Sequence, residues 1–168
     1  MSSFQRIDGH IGGQGVEVNS ATIADTLGNC IKAVDTAATN YGVGEFVYAK
    51  GVASTVVGSA VILNMDDWST TLTVGSSFGA VGIAMSACVA GEFGWYQTSG
   101  KAVGKVAAGF ANGLTAIFVT ATAGQIDDAG AAGDRIKGIK SASAIGTPAA
   151  GLAELEIRYP YSDDVADS

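Results

Sequence analysis

The sequence predicts an all-β domain, a compact barrel or sandwich with little helix. Three observations carry that expectation. Short apolar runs alternate with clusters of Gly, Asn, Asp and Ser at intervals of about 8 to 12 residues, giving roughly ten strands at sandwich or barrel spacing. No stretch sustains the 3.6-residue period of an amphipathic helix. The chain is also built from small pieces: 24 of its 168 residues are glycine, 48% are hydrophobic and only 8% aromatic. Such a mixture suits closely approaching strands and tight turns. The length is one domain's worth and buries a core without disulfides.

Residues 1–20 are polar and punctuated by Gly9, Gly12, Gly13 and Gly15, and read as an N-terminal arm or a loose first strand. The β-rich domain is expected over 21–161. Its first segment, 19–27, has the signals of a short helix closed by Gly28. Residues 29–34 alternate Cys30, Lys32 and Val34 against Ile31 and Ala33, and 45–50 alternate aromatic and small residues, as half-buried strands do. Residues 55–63 form a β-branched run expected to be a strand buried on both faces, with Gly58 at a bulge or close approach. A turn over 64–69 leaves Trp68 at least half exposed, and 70–74 is the return strand.

The stretch 79–100 sets Val81, Ile83 and Met85 against Gly82, Ala84 and Ser86, then Phe93 and Trp95 against Gly94 and Tyr96. The first three residues are expected in the core and Phe93 and Trp95 extend that packing. Tyr96 falls on the opposite face, near a subunit contact. Further strands are expected over 101–110, 114–121, 135–142 and 151–159. The last places Ala153, Leu155, Ile157 and Tyr159 on one face and Glu154, Glu156 and Arg158 on the other, and Pro160 ends it. Residues 162–168 are an acidic tail.

A net charge of −7 with scattered basic residues argues against a phosphate-binding surface, since the nearest basic cluster is Arg135, Lys137 and Lys140. Direct nucleic-acid binding is not expected, and acidity disfavours anionic membranes. Cys30 and Cys88 lie in apolar runs and read as buried free thiols, although a disulfide is open on sequence alone. The N-terminus has no apolar signal region, and no run is long enough to span a bilayer. Synthesis in a reducing cytoplasm is the expectation.

The search for chemistry leaves an enzyme without parts. Residues 75–79 match the G-x-S-x-G elbow around Ser77, but a strand-like segment follows it, and His10, the one histidine, lies upstream. One histidine and two distant cysteines make no zinc site, and Asp127, Asp128 and Asp134 lack calcium-loop spacing. Neither 99–102 nor 42–44 completes a phosphate cradle. No cofactor or metal is expected. Trp68, Phe93, Trp95 and Tyr96 suit core or subunit interface, with a sugar-binding platform as the alternative.

Three segments carry a family resemblance: 44–59 (GEFVYAKGVASTVVGS), 81–87 (VGIAMSA) leading into 94–100 (GWYQTSG), and 123–127 (AGQID). Together they resemble the capsid decoration, or cement, proteins of tailed bacteriophages, over roughly residues 27–160. The resemblance implies a β-tulip or jelly-roll module that binds the outer surface of an icosahedral head and stabilises it. Its implied partners are the major capsid protein and other copies of the chain, as a homotrimer or a dimer. The contact candidates are Trp68, Trp95, Tyr96, Phe4 and Ile7, with the arm 1–20 as a capsid anchor. The alternatives are a carbohydrate-binding surface module and a head-fibre or tail accessory protein.

Overall fold

The computed structural model describes residues 3–7, 13–37, 41–131 and 133–163. His10, part of the arm and the tail beyond residue 163 lie outside them. The expected all-β class is the observed one. Among the described residues eleven strands form, namely β1 (Phe4–Arg6), β2 (Cys30–Asp35), β3 (Val43–Lys50), β4 (Ala60–Leu63), β5 (Thr70–Leu72), β6 (Gly79–Ala84), β7 (Phe93–Lys105), β8 (Ile117–Val119), β9 (Ile126–Asp127), β10 (Arg135–Ser141) and β11 (Leu152–Ser162). All join one antiparallel sheet in the order β1-β2-β3-β7-β6-β11-β10-β8-β9, with β4 on β6 and β5 on β4. The sheet folds on itself into a sandwich-like body and does not close into a barrel.

The fold turns on β7, because its two halves take different neighbours. Its first half pairs with β3, from Glu45↔Ser99 to Lys50↔Phe93, and touches β6 at Ile83↔Gln97 and Ala84↔Tyr96. Its second half pairs with β11, from Ser99↔Arg158 to Lys105↔Leu152. Gly100, at φ +105°, sits between these halves where a Cβ would meet the Val43 carbonyl oxygen at 2.8 Å. One continuous strand therefore replaces the two expected over 93–96 and 101–110.

Splitting the sheet this way creates three apolar cores. Val81, Ile83, Ile117, Ile126, Ile136 and Leu155 belong to the largest, under β6 and β8 to β11. On one side of β3, Phe46, Tyr48 and Trp95 pack with Phe4, Val16 and Ile31. On the other side Val47, Ala49 and Tyr96 pack with Val61, Leu63 and Cys88. Strands β3 and β7 are thus covered on both faces.

Several local expectations are corrected. Residues 19–27 are turns and bends without helix. Only Ala60–Leu63 of the β-branched run is strand, because 52–59 is spent on two turns that bring Gly58 against β7. There Gly58 has φ +82° and a Cβ would meet the Lys105 nitrogen at 2.8 Å, which is the close approach its sequence context suggested. Pro160 does not end β11, which runs to Ser162. Cys30 is exposed, Cys88 is buried, and both are free thiols.

The arm is also more tightly held than its composition suggests. β1 pairs with β2, and Phe4 is buried edge-on against Phe46 with ring centroids 5.0 Å apart. Gln14 and Val16 are buried, and the Gln14 amide donates to the carbonyls of Val18 and Phe93, the latter at 3.0 Å. Tyr48 Oη donates to Gln14 Oε1 at 3.1 Å, and Arg6 reaches Asp25 at 3.0 Å. These are core contacts.

Candidate functional site

The five contact candidates separate by burial. Phe4, Trp95 and Tyr96 are inside the molecule, the two latter with no exposed surface. Trp95 Nε1 donates to the Gln14 carbonyl at 3.1 Å, and Tyr96 Oη lies 3.4 Å from Thr70 Oγ1. Trp95 is a core residue as expected, but in the cluster with Phe46 and Phe4 that Met85 and Phe93 flank and not in that of Val81 and Ile83, and Tyr96 does face the opposite side of β7. That side is closed by β4 and β5 and the Trp95 side by Phe4, Val16 and Ile31, so neither side chain is accessible to a partner or a sugar. Ile7 is exposed and Trp68 half-buried, and these two remain accessible.

Around Trp68 the structure brings together a groove that sequence reasoning assembled only in part. Cys30, Met65, Trp68, Tyr159, Pro160 and Tyr161 line it, with Val47, Leu63 and Val81 beneath, in a volume of about 330 Å³. Met65, Tyr159 and Tyr161 are among the most exposed large apolar side chains of the described residues.

The turn over 64–69 presents Trp68. Asn64 Oδ1 accepts the Asp66 N–H, Asp67 Oδ1 accepts the Ser69 N–H, and the Trp68 carbonyl accepts the Lys50 N–H at 2.8 Å. These bonds hold Trp68 at φ +54°, a left-handed conformation unusual for an aromatic residue. Its indole occupies the space a side chain on Gly28 would need, since a Cβ there would lie 2.2 Å from the ring.

The opposite wall arises from an irregularity in β11. The register with β10 moves from Lys137↔Tyr161 to Ile139↔Ile157, so Gly138 faces the extra residues. A Cβ on Gly138 would come within 2.6 Å of the Arg158 carbonyl oxygen, which makes glycine necessary at that approach. The bulge reverses the inside–outside phase: Ala153, Leu155 and Ile157 point in, Tyr159 and Tyr161 point out, and Pro160 and Ser162 are buried. Tyr159 takes φ +45° at this step. Left-handed non-glycine residues cost on the order of 1–3 kcal/mol each and persist where their surroundings over-determine them. The sequence pattern Tyr-Pro-Tyr carries the signal for this pair, but strict alternation had put Tyr159 with the core residues.

Tyr159 Oη donates to the Glu45 carboxylate, which also lies 3.2 Å from Lys32 Nζ. The tyrosine hydrogen bond, helped by Lys32, holds Glu45 below the usual glutamate value, and the same bond raises the Tyr159 hydroxyl. Burial and the Glu45 charge push the Cys30 thiol up, away from the reactive thiolate. The groove is suited to apolar burial between preformed aromatic walls.

The other sequence candidates serve as ties. Ser77 Oγ accepts the Val74 N–H in the turn before β6. Asp128 accepts from Ala111 and Asp134 from Ser76, so these carboxylates staple loops together. Lys137 pairs with Asp163 and Lys140 with Glu156. No group of three potential metal ligands occurs among the described residues.

Compared with known proteins, the chain matches no family model, no curated protein and no solved structure.

Proposed function

We propose that this chain is a structural virion protein, a decoration protein that binds the outer surface of an icosahedral phage head and stiffens the capsid lattice without catalysing a reaction. Its partners would be the major capsid protein and further copies of itself. The observation that carries the reading is the spatial continuity of the resembling segments. Residues 44–50 lie along 93–99 as β3 on β7. The Gly58 N–H donates to the Ala84 carbonyl at 2.9 Å, and the Gly58 carbonyl accepts from Lys105 at 2.8 Å. The Gly124 carbonyl accepts from Ala60 at 3.0 Å. Segments far apart in the chain thus form one packed block, which supports reading them as a single structural signature. An exposed aromatic groove beside this block supplies the kind of surface a docking protein needs. Many copies, each burying a modest area, gain retention by multivalency.

The test is addition of the purified protein to expanded heads stripped of their accessory proteins. Binding at defined lattice positions and a higher head melting temperature are expected; heads whose stability is unchanged would overturn the proposal. A second reading, a carbohydrate-binding module, keeps one specific observation: Trp68, Tyr159 and Tyr161 stand accessible around one groove. Trp95 and Tyr96 are buried and Phe93 is half-buried outside this groove, so of the four aromatics the sequence singles out only Trp68 lines it.

A further inference from the structure

We infer that the groove walled by Trp68, Tyr159 and Tyr161 is a peptide-docking site. It takes one bulky apolar side chain of a partner protein, with a lysine or arginine of the same segment against its acidic rim. The inference rests on reading the chain as a docking protein, and does not depend on the partner being a capsid.

The lining chooses the class of occupant. Apart from Thr98 and Cys30 the groove is lined by apolar and aromatic residues. A sugar would turn hydroxyls toward Val47, Pro160 and Val81, where they would go unpaired. An aliphatic or aromatic side chain meets no such penalty, and a groove of about 330 Å³ has room for one.

The walls are preformed. Trp68 and Tyr159 are two of the four non-glycine residues with positive φ among the described residues, and both line the same groove. Each is locked independently, Trp68 by its turn and the space above Gly28, and Tyr159 by the β11 bulge and Glu45. A site whose walls need no ordering loses little conformational entropy on binding.

The rim chooses the charge. Asp66 and Asp67 are exposed in the turn that carries Met65 and Trp68. Asp67 accepts from Ser69 and has Lys50 as a neighbouring cation, whereas no cation pairs with Asp66 among the described residues. Glu45, which accepts from Tyr159, is already answered by Lys32. The unanswered charge is therefore that of Asp66, two residues before Trp68 in the same turn, where a basic residue flanking the apolar plug would be attracted.

The experiment uses the full chain and three blocked pentapeptides, Gly-Lys-Leu-Lys-Gly, Gly-Lys-Ala-Lys-Gly and Gly-Glu-Leu-Glu-Gly, with methyl glucoside as a fourth probe. Two reporters exist already: Trp68 is half-exposed while Trp95 is buried, and Cys30 is exposed while Cys88 is buried. The lysine–leucine peptide should change tryptophan emission saturably and slow thiol labelling at Cys30 at least fivefold. The alanine and glutamate peptides should bind at least tenfold more weakly. Tyr161→Ala and Met65→Glu, both at exposed positions, should abolish the response while unfolding at the wild-type temperature. The inference is overturned if the lysine–leucine peptide does not saturate, if the glutamate peptide binds equally, or if methyl glucoside saturates in its place. It is also overturned if Cys30 becomes protected in the protein alone as concentration rises, which would assign the groove to a second copy. Failure to bind stripped heads would remove the capsid reading and leave the peptide result standing.

Discussion

At the residue scale, the accessible aromatic surface depends on glycines that make room for it. Gly28 combines φ +79° with the absence of a side chain under the Trp68 ring, and its N–H donates to Tyr48 at 2.8 Å, so the backbone cannot easily retreat. Gly28→Ala should cost on the order of 1–3 kcal/mol from left-handed strain alone. For a domain of this size that corresponds to a melting temperature lower by about 2–12 °C. It should also displace the indole, so tryptophan emission shifts to the red; unchanged emission and stability would show that Gly28 does not seat Trp68. The accessibility of Trp68 was legible because Asn, Asp and Ser surround it in an unmistakable turn. Burial of Phe4 and Tyr96 was not, because it depends on which distant segments cover β1 and β7. The outward pair Tyr159 and Tyr161 was hidden by a bulge set from the neighbouring strand, at Gly138.

At the element scale, alternation was readable wherever a strand keeps its phase, as in Ile31 and Ala33 of β2 or Ala153, Leu155 and Ile157 of β11. It failed where tertiary contacts interrupt a run of strand-forming residues. The turns over 52–59 are β-branched in part, yet Gly58 must reach the backbone of β7, and that contact overrides local propensity. The N-terminal segment does supply a first strand, but one held more firmly than a loose arm, for a related reason. Its few apolar residues suggested a loose arm, but Phe4 and Val16 are buried and Gln14 bonds to β7. Deleting residues 1–20 removes both apolar side chains, each worth about 1.5–3 kcal/mol of burial, together with the Gln14 hydrogen bonds. The expected loss is about 4–9 kcal/mol, or roughly 8–36 °C in melting temperature. A truncated chain that unfolds at the wild-type temperature would show that these residues are an appendage. Any capsid-binding defect of such a truncation needs this measurement beside it.

At the scale of the whole molecule, charged ties reinforce paired strands at Lys32–Glu45 and Lys101–Glu154 and join unpaired parts of the chain at Arg6–Asp25, Glu45–Tyr159 and Tyr41–Glu154, and they give stability a pH dependence. Asp25 holds Arg6 at 3.0 Å, Glu45 joins Lys32 to Tyr159, and Glu154 holds Lys101 at 2.8 Å while accepting from Tyr41. Burial raises Asp25 and Glu154, but their hydrogen bonds and cationic partners outweigh it and leave both below ordinary carboxylate values; Glu45 is lowered chiefly by Tyr159. A carboxylate lowered on folding contributes stability that is fully present above its unfolded value and lost as pH falls through its folded value. Asp127 has the opposite sign, being raised by burial and by its neighbour Asp128, so its contribution is lost as pH rises. Relief of the −7 net charge on mild acidification also opposes the loss, but salt near 0.15 M screens that repulsion over about 8 Å while leaving the close ties largely intact. The urea midpoint at that salt should therefore stay nearly level from pH 8 to about 5 and fall below about pH 4. In Asp25→Asn the plateau should be lower and the acid fall shallower, because one of the protons that unfolds the wild type no longer has a site. An acid limb of wild-type steepness in that variant would remove the Arg6–Asp25 tie from the account and leave Glu45 and Glu154 to carry the dependence.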